Sequence, residues 1–316
     1  MFSYNNIIQK EEPVNKALID TALADAHLDR PSRVEKIGDA LECMVVHDFL
    51  PDEECEALMQ ACEQVGYTYW RQASADPKAV RSEEETSSTA VREVDTIEAN
   101  FPTLSKALFN RIQHCIDLPT KSFSSTMENA DEVFESDLEG DWVPYALSEN
   151  LLFGRYGAGG HFMPHIDGST IVDINTRSMY TLLIYLNSCP QGGETFIFKG
   201  EQSEILYFDE AQKKYRGSAS DRIGEVKPIK GTAAFFYYDL LHEGAPVQAG
   251  KKCICRGDVL YRREPPILTS EKDIEAFRLY QEARQAESSG NAEEACKMFQ
   301  RVRHLSLGVA KLYQLE

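Results

Sequence analysis

Several things are scarce or missing in this 316-residue chain. No apolar run approaches the roughly eighteen residues that a membrane-crossing helix needs. Positive charge is in deficit, with 33 Lys and Arg against 51 Asp and Glu and a formal net charge of -18. Such a surface repels phosphate backbones and anionic lipid, so neither nucleic acid nor a membrane is an expected partner. The opening stretch, MFSYNNIIQKEEPVNKALID, has no basic region followed by an apolar core and does not read as a secretory signal. The eight cysteines never adopt CxxC spacing, which argues against a zinc ribbon and against a small disulfide scaffold. They read as mostly buried, reduced thiols in a cytoplasmic protein. Histidine is also scarce, at seven residues, so the pair beside an aspartate in HFMPHIDGS, His161 to Ser169, is worth testing as a metal site.

What is present is a sizeable core, with 42% hydrophobic residues. A short helix is expected around Lys16–Ala24. MVVHDFL reads as a strand, and PDEECEALMQACEQVG as a helix whose Cys55, Leu58, Met59, Cys62 and Val65 share one face. Its first turn is acidic and Gly66 ends it. The polar segment 72–95 reads as a loop, of a length that often forms a lid or binding element. FPTLSKALFNRIQHCI is a second amphipathic helix, and the acidic segment 124–141 an exposed insertion. From Tyr145 to Arg263 the texture changes to short β-rich runs bounded by Gly, Pro and Asn. ENLLFGRY, RSMYTLLIYLN, ETFIF, EILYF, GTAAFFYYD and CICRGDVLYR are strand candidates. Helices followed by many short strands suggest a mainly antiparallel sandwich or barrel with flanking helices. After PPILTS, residues 271–316 return to helical spacing. Phe277, Tyr280, Ala283 and Ala286 form one face, and Ala292, Ala295, Phe299 and Val302 another, with a break at Gly290-Asn291. This helical hairpin resembles one tetratricopeptide-type unit, which cannot bury its own face. It should therefore pack on the main domain, or on a protein partner.

His165 and Asp167 are separated by one residue. In a strand, alternate side chains share a face, so both can meet one ion. A third ligand must come from elsewhere. His242 is the best placed, because it follows the strand GTAAFFYYD and would project from a barrel rim. His27, His47, His114 and His304 lie in helical or surface-like segments. His161 could pair with His165 only on a helix, and the glycines and proline around it argue against one. Two histidines and one carboxylate leave coordination positions open and suit non-heme Fe(II).

The ordered run RYGAGGHFMPHIDGS, RSMYTLLIYLN, GGETFIF, VKPIKGTAAFF and LHEGAPVQAGKK resembles the catalytic domain of the 2-oxoglutarate- and Fe(II)-dependent dioxygenases, prolyl 4-hydroxylase branch. The resemblance covers roughly residues 142 to 263 and reaches loosely back to Glu42. It implies a double-stranded β-helix, or jelly roll, with His165, Asp167 and His242 as catalytic metal ligands. It also implies 2-oxoglutarate as cosubstrate, O2 as oxidant and ascorbate as a reductant. The far carboxylate of 2-oxoglutarate needs a cation, which the motif places at Lys252. Arg256, on the same strand face, is the rival. By the same resemblance Thr181, Tyr185 and Tyr156 line the cosubstrate pocket. The expected organisation is an N-terminal extension over 1–34, a dioxygenase domain over 35–268 with its core at 142–263, and the hairpin at 271–316. The expected reaction is oxidation of an unactivated C–H bond, by hydroxylation of a prolyl residue or amino-acid-like substrate, with release of succinate and CO2. Such a centre can also desaturate or cyclise a small-molecule metabolite. A different class, a non-catalytic adaptor with this fold, would need the ligand set to have decayed. Arg71, Arg92, Arg155 and Arg177 are cations that could meet an anionic substrate.

Overall fold

The structure is a computed structural model, which describes residues 13–23, 33–37, 43–69, 89–127 and 136–315. It divides into two compact units. The first takes in residues 1–117, 146–169 and 179–259, and the second residues 118–145, 170–178 and 260–316.

The first unit is built on two antiparallel sheets. In the larger, the strands run in the order Arg33–Lys36, Cys43–His47, Ala233–Tyr237, Thr176–Tyr185, Lys252–Glu264, Asn150–Tyr156, Asp95–Asn100, Thr68–Tyr69. The smaller has the order Arg222–Val226, Thr195–Phe198, His242–Gly244, His161–His165, Arg92–Glu93. Strands far apart in sequence are neighbours in both, as a double-stranded β-helix requires. One apolar cluster draws on the two sheets together. Val45, Leu183, Tyr185, Ala234, Phe236 and Ile254 come from the larger sheet, and Ile197 and Val226 from the smaller. These positions alternate along their strands, as side chains on one face must. All ten residues of Thr176–Tyr185 are buried, the polar Thr176, Arg177, Ser178 and Thr181 among them, so this strand is covered on both faces.

Helix Asp52–Val65 buries Cys55, Leu58, Ala61 and Cys62, and Gly66 ends it at φ 89°. Helix Pro102–Cys115 begins with Pro in its first turn, and its free N–H groups at Thr103 and Leu104 donate to Asp20 Oδ1 at 2.8 and 3.0 Å. The expected helix at Lys16–Ala24 is the single turn Ala17–Asp20, so its visible use is to cap its neighbour. The segment EILYF forms the first arm of a hairpin, Leu206–Asp209 paired with Lys214–Gly217. Arg216 of the second arm is ion-paired to the fully buried Glu243, next to His242. Lys214 is paired to Glu93 at 3.2 Å.

In the second unit, the C-terminal segment forms helices Glu271–Ser288, Ala292–Leu305 and Leu307–Leu312. Ser270 and Asp273 make a reciprocal capping box at the first helix. Ala276, Phe277, Leu279, Val302 and Val309 pack together with Ile174. Asn175 fixes the approach to this bundle by bonding both the N–H and the carbonyl of Ile267. The two-helix expectation gains a third helix, and Ala292 is exposed rather than facing the partner helix. Part of the acidic segment expected to be exposed, Ser136–Leu138, is a short 3-10 turn with Asp137 and Leu138 buried. The reason is a partner that sequence spacing does not reveal, since Arg177 donates to Asp137 Oδ2 at 2.7 Å. Residues 72–88 of the expected loop, and residues 128–135, lie outside the described residues, while the end of that loop is strand Arg92–Glu93 and the start of strand Asp95–Asn100, paired to neighbouring strands.

Candidate active site

His165 ends its strand and pairs in register with His242, the first residue of the neighbouring strand. Each imidazole is fixed by its own chain. His165 Nδ1–H donates to the Met163 carbonyl and His242 Nδ1–H to the Leu240 carbonyl, both at 2.8 Å. That tautomer turns both Nε2 lone pairs the other way, toward Asp167. Asp167 does not lie on the His165 strand, as simple alternation would have it. The strand stops at His165, and the chain turns through Gly168 at φ 78° with the N–H groups of Asp167 and Gly168 both on the Tyr238 carbonyl. The turn brings the carboxylate to 3.6 Å from His165 Nε2 and 3.9 Å from His242 Nε2. Potential ligand atoms from the three residues all lie within 4.8 Å of one another.

The electrostatics suit a cation. Burial, helped by His165 alongside, pushes the His242 imidazole down to about 4, so at neutral pH it offers a lone pair rather than a proton. Burial alone would raise the Asp167 carboxyl, but Arg256, His242 and His165 together hold it well below the usual carboxylate range. Thr181 Oγ1 donates to Asp167 Oδ2 at 2.6 Å, which orients the carboxylate. Phe162 stacks on His165, with ring centroids 3.6 Å apart, and Phe236 packs against His242 at 4.5 Å. Two imidazoles and one ionised carboxylate, converging with their far sides occupied, fit a divalent first-row metal such as Fe(II).

In the larger sheet, Lys252 is 3% exposed and stands opposite Tyr156 in register. Its ammonium donates to the Gly193 carbonyl at 3.0 Å and lies 4.6 Å from the centre of the Tyr156 ring. Among the described residues no carboxylate comes within ion-pairing distance of it. Burial lowers its pKa to about 8. Tyr185 is fully buried, and its hydroxyl shares a 2.7 Å hydrogen bond with Thr195 Oγ1. A buried cation with no carboxylate within ion-pairing distance among the described residues, set against the Tyr156 ring, fits the far carboxylate of a diacid.

Of the residues singled out in the sequence, Lys252, Tyr156 and Tyr185 share the interior cluster or line it. Thr181 sits instead on the Asp167 carboxylate. His161 is fully buried but outside the metal cluster, and its ring is bonded to the Ala90 carbonyl at 3.1 Å. Arg155 is tied to Glu63 and Asp95, Arg177 to Asp137, and Arg92 lies over the Phe162 ring. Arg71 lies outside the described residues. Sequence reasoning weighed Arg256 only as a rival for the cosubstrate. Its guanidinium is 3.6 Å from Asp167 Oδ1 and 2.9 Å from Asp258 Oδ1, next to the His165, Asp167 and His242 cluster. The alternation of Lys252, Arg256 and Asp258 along one strand face carried that signal.

The fold and this constellation define a class, and comparison with known proteins agrees. Residues 151–257 match the sequence model of the 2OG-Fe(II) oxygenase superfamily. The human transmembrane prolyl 4-hydroxylase is 29% identical over 144 residues, 34% of this chain and 29% of that protein. Prolyl 4-hydroxylase 5 of Arabidopsis thaliana is 23% identical over 262 residues, 78% of this chain and 75% of the plant protein. Among solved structures, a Pseudomonas putida prolyl-4-hydroxylase is 16% identical, with a TM-score of 0.40, over 79% of this chain and 100% of that one. Residues 151–257 of this chain are thus similar to the 2OG-Fe(II) oxygenases, and the chain is prolyl hydroxylase-like over most of its length. It spans under a third of the length of the human relative. Among the described residues no helix is long and apolar enough to cross a membrane.

Proposed function

We propose that the protein is an Fe(II)- and 2-oxoglutarate-dependent dioxygenase that hydroxylates an unactivated C–H bond in a prolyl or amino-acid-like substrate. The observation that carries this reading is the pairing of two features in one interior: the His165, Asp167 and His242 cluster, and the buried, counter-ion-free Lys252. In that reading His165 and His242 hold the metal through Nε2, Asp167 through its carboxylate, and Lys252 holds the far carboxylate of 2-oxoglutarate. Ferrous iron, with 2-oxoglutarate and O2, supplies the oxidising power, and succinate and CO2 leave as co-products. The chain's own contribution is positional. The Met163 and Leu240 carbonyls fix the imidazole tautomers, and Thr181 fixes the carboxylate. Phe162 and Phe236 pack against the imidazoles. Tyr185 and Thr195 supply hydroxyls bonded to each other, and Lys252 bonds the carbonyl of Gly193, two residues before Thr195. Ascorbate serves as the external reductant that restores iron to the ferrous state. All eight cysteines are free, and most are buried, which supports a reducing, cytoplasmic setting. A decayed adaptor would have no need to keep the whole donor set.

The test is succinate release by purified protein given Fe(II), 2-oxoglutarate and ascorbate in air. Wild type should release succinate, and His165→Ala, Asp167→Ala and His242→Ala should each fall to background with loss of bound iron. Iron retained by all three variants would show that the ligands lie elsewhere.

A further inference from the structure

The strand that carries Lys252 turns four side chains to the interior in sequence: Lys252, Ile254, Arg256 and Asp258. Their exposures give the direction. Lys252 is 3% exposed, whereas the Arg256 side chain is 28% exposed, so the strand runs from a closed end to an open one. Asp167 lies beside the open-end cation, with its Oδ1 3.6 Å from Arg256 Nη2. Of these four side chains Arg256 is the most exposed, so it is the one that solvent reaches beside Asp167.

Arg256 is held, not free to swing. Asp258 takes Nη2 at 2.9 Å and Nη1 at 3.2 Å, and the Asp258 side chain is itself only 14% exposed. A forked contact of this kind fixes the guanidinium plane and leaves its other N–H groups for a second acceptor. The charges around it do not balance. Asp258 and Asp167 stand at 2.9 and 3.6 Å from this guanidinium, and Glu98 lies across the same sheet, since Glu98 and Arg256 both pair in register with Leu152. A divalent ion at the ligand cluster engages Asp167. That leaves Arg256 facing Asp258 and Glu98, one cation against two anions, with unused N–H donors toward the opening. The complement of such a surface carries both signs: a carboxylate for the guanidinium and an ammonium for the surplus carboxylate. A neutral capped peptide offers neither.

We infer that Arg256, fixed by Asp258, reads the α-carboxylate of a free amino-acid substrate, while Asp258 and Glu98 supply the counter-charge for its ammonium. This inference rests on the oxygenase reading above and narrows its substrate class. It also gives an order of binding. Until the metal claims Asp167, that carboxylate competes for Arg256, so metal and 2-oxoglutarate should bind before the amino acid.

The experiment uses the full chain, loaded anaerobically with Fe(II) and 2-oxoglutarate, whose visible charge-transfer band reports the environment of the metal. The probes are the free proteinogenic L-amino acids, their α-amides, their N-acetyl derivatives and a capped proline-rich peptide. At least one free amino acid should perturb the band and, in air, stimulate succinate release. Its amide and its N-acetyl derivative should each bind about tenfold or more weakly. In an Arg256→Gln/Asp258→Asn double variant, which removes both charges together, the ratio of acid to amide affinity should fall close to one. Arg256→Lys should give an intermediate ratio. Each ratio is measured within one protein, so a general loss of stability does not move it. The inference is overturned if no free amino acid perturbs the band, if amides bind as well as acids, if the capped peptide alone acts, or if the double variant keeps the preference. No band on adding iron and 2-oxoglutarate to wild type would instead sink the oxygenase reading, and this inference with it.

Discussion

Lys252 and Arg177 are equally buried, each 3% exposed, and each lies beside an aromatic ring. Their partners differ. Arg177, in the second unit, has the Asp137 carboxylate at 2.7 Å, in a cluster where Arg263 stacks on Trp142 at 4.4 Å and bonds the Asp137 and Ile174 carbonyls. Lys252 bonds one neutral carbonyl, and among the described residues no carboxylate lies within ion-pairing distance of it. Taking a cation out of water is costly, and a paired carboxylate offsets that cost. Arg177 meets that requirement within the fold and serves as architecture. Lys252 does not, which is why the proposed function gives it an anion from outside. Burial alone does not separate a structural charge from a binding one, but the partner does.

The comparison breaks most sharply in stability. Arg177→Met leaves Asp137 buried and unpaired and should cost about 3–5 kcal/mol of folding stability. Lys252→Met removes an unpaired buried cation and should leave the cosubstrate-free protein as stable or more so. Chemical denaturation of the two variants side by side checks the opposite signs, and equal destabilisation would erase the distinction.

A second consequence is a pH dependence. Burial lowers the Lys252 pKa to about 8, below its unfolded value, so the free protein disfavours the ammonium. For stability, the burial penalty is fully present below pH 8 and fades as pH rises from there toward the unfolded pKa. For 2-oxoglutarate the sign is reversed, because the far carboxylate needs the charged form. Cosubstrate affinity should be flat below pH 8 and weaken about tenfold per pH unit above it. Affinity that stays level to pH 10 would mean that another cation holds the carboxylate.

Smaller effects are expected outside the closed end. Arg256→Ala should change 2-oxoglutarate affinity by no more than about threefold, since Asp258 already occupies its fork. His161→Ala should retain bound iron, because its ring is committed to the Ala90 carbonyl. Metal analysis of the dialysed variant is sufficient to check this.

The sequence carried much of this site and little of its wiring. His165 and His242 were legible because scarce histidines flank strands of clear β pattern. Asp167 was reached for an incomplete reason, since its side chain arrives through the Gly168 turn rather than by strand alternation. Lys252 and Arg256 could not be told apart by phase, because both face inward. Depth separates them, and depth depends on which strands lie alongside. The Thr181 bond to Asp167, the Arg216 pairing with Glu243 and the Asp137 pairing with Arg177 all join residues distant in sequence. Cross-strand register and loop packing set those contacts, and neither is periodic. The same limit explains why Ala292 was placed on a packed face: helical phase gives a stripe, not the neighbour that covers it.

The most direct test of the central claim is an anaerobic titration of 2-oxoglutarate into the Fe(II)-loaded protein, followed by its visible charge-transfer band, in wild type and Lys252→Ala. The account predicts a saturable band in wild type, and in the variant a requirement for 2-oxoglutarate raised by orders of magnitude with iron still bound. An unchanged titration in Lys252→Ala would contradict it.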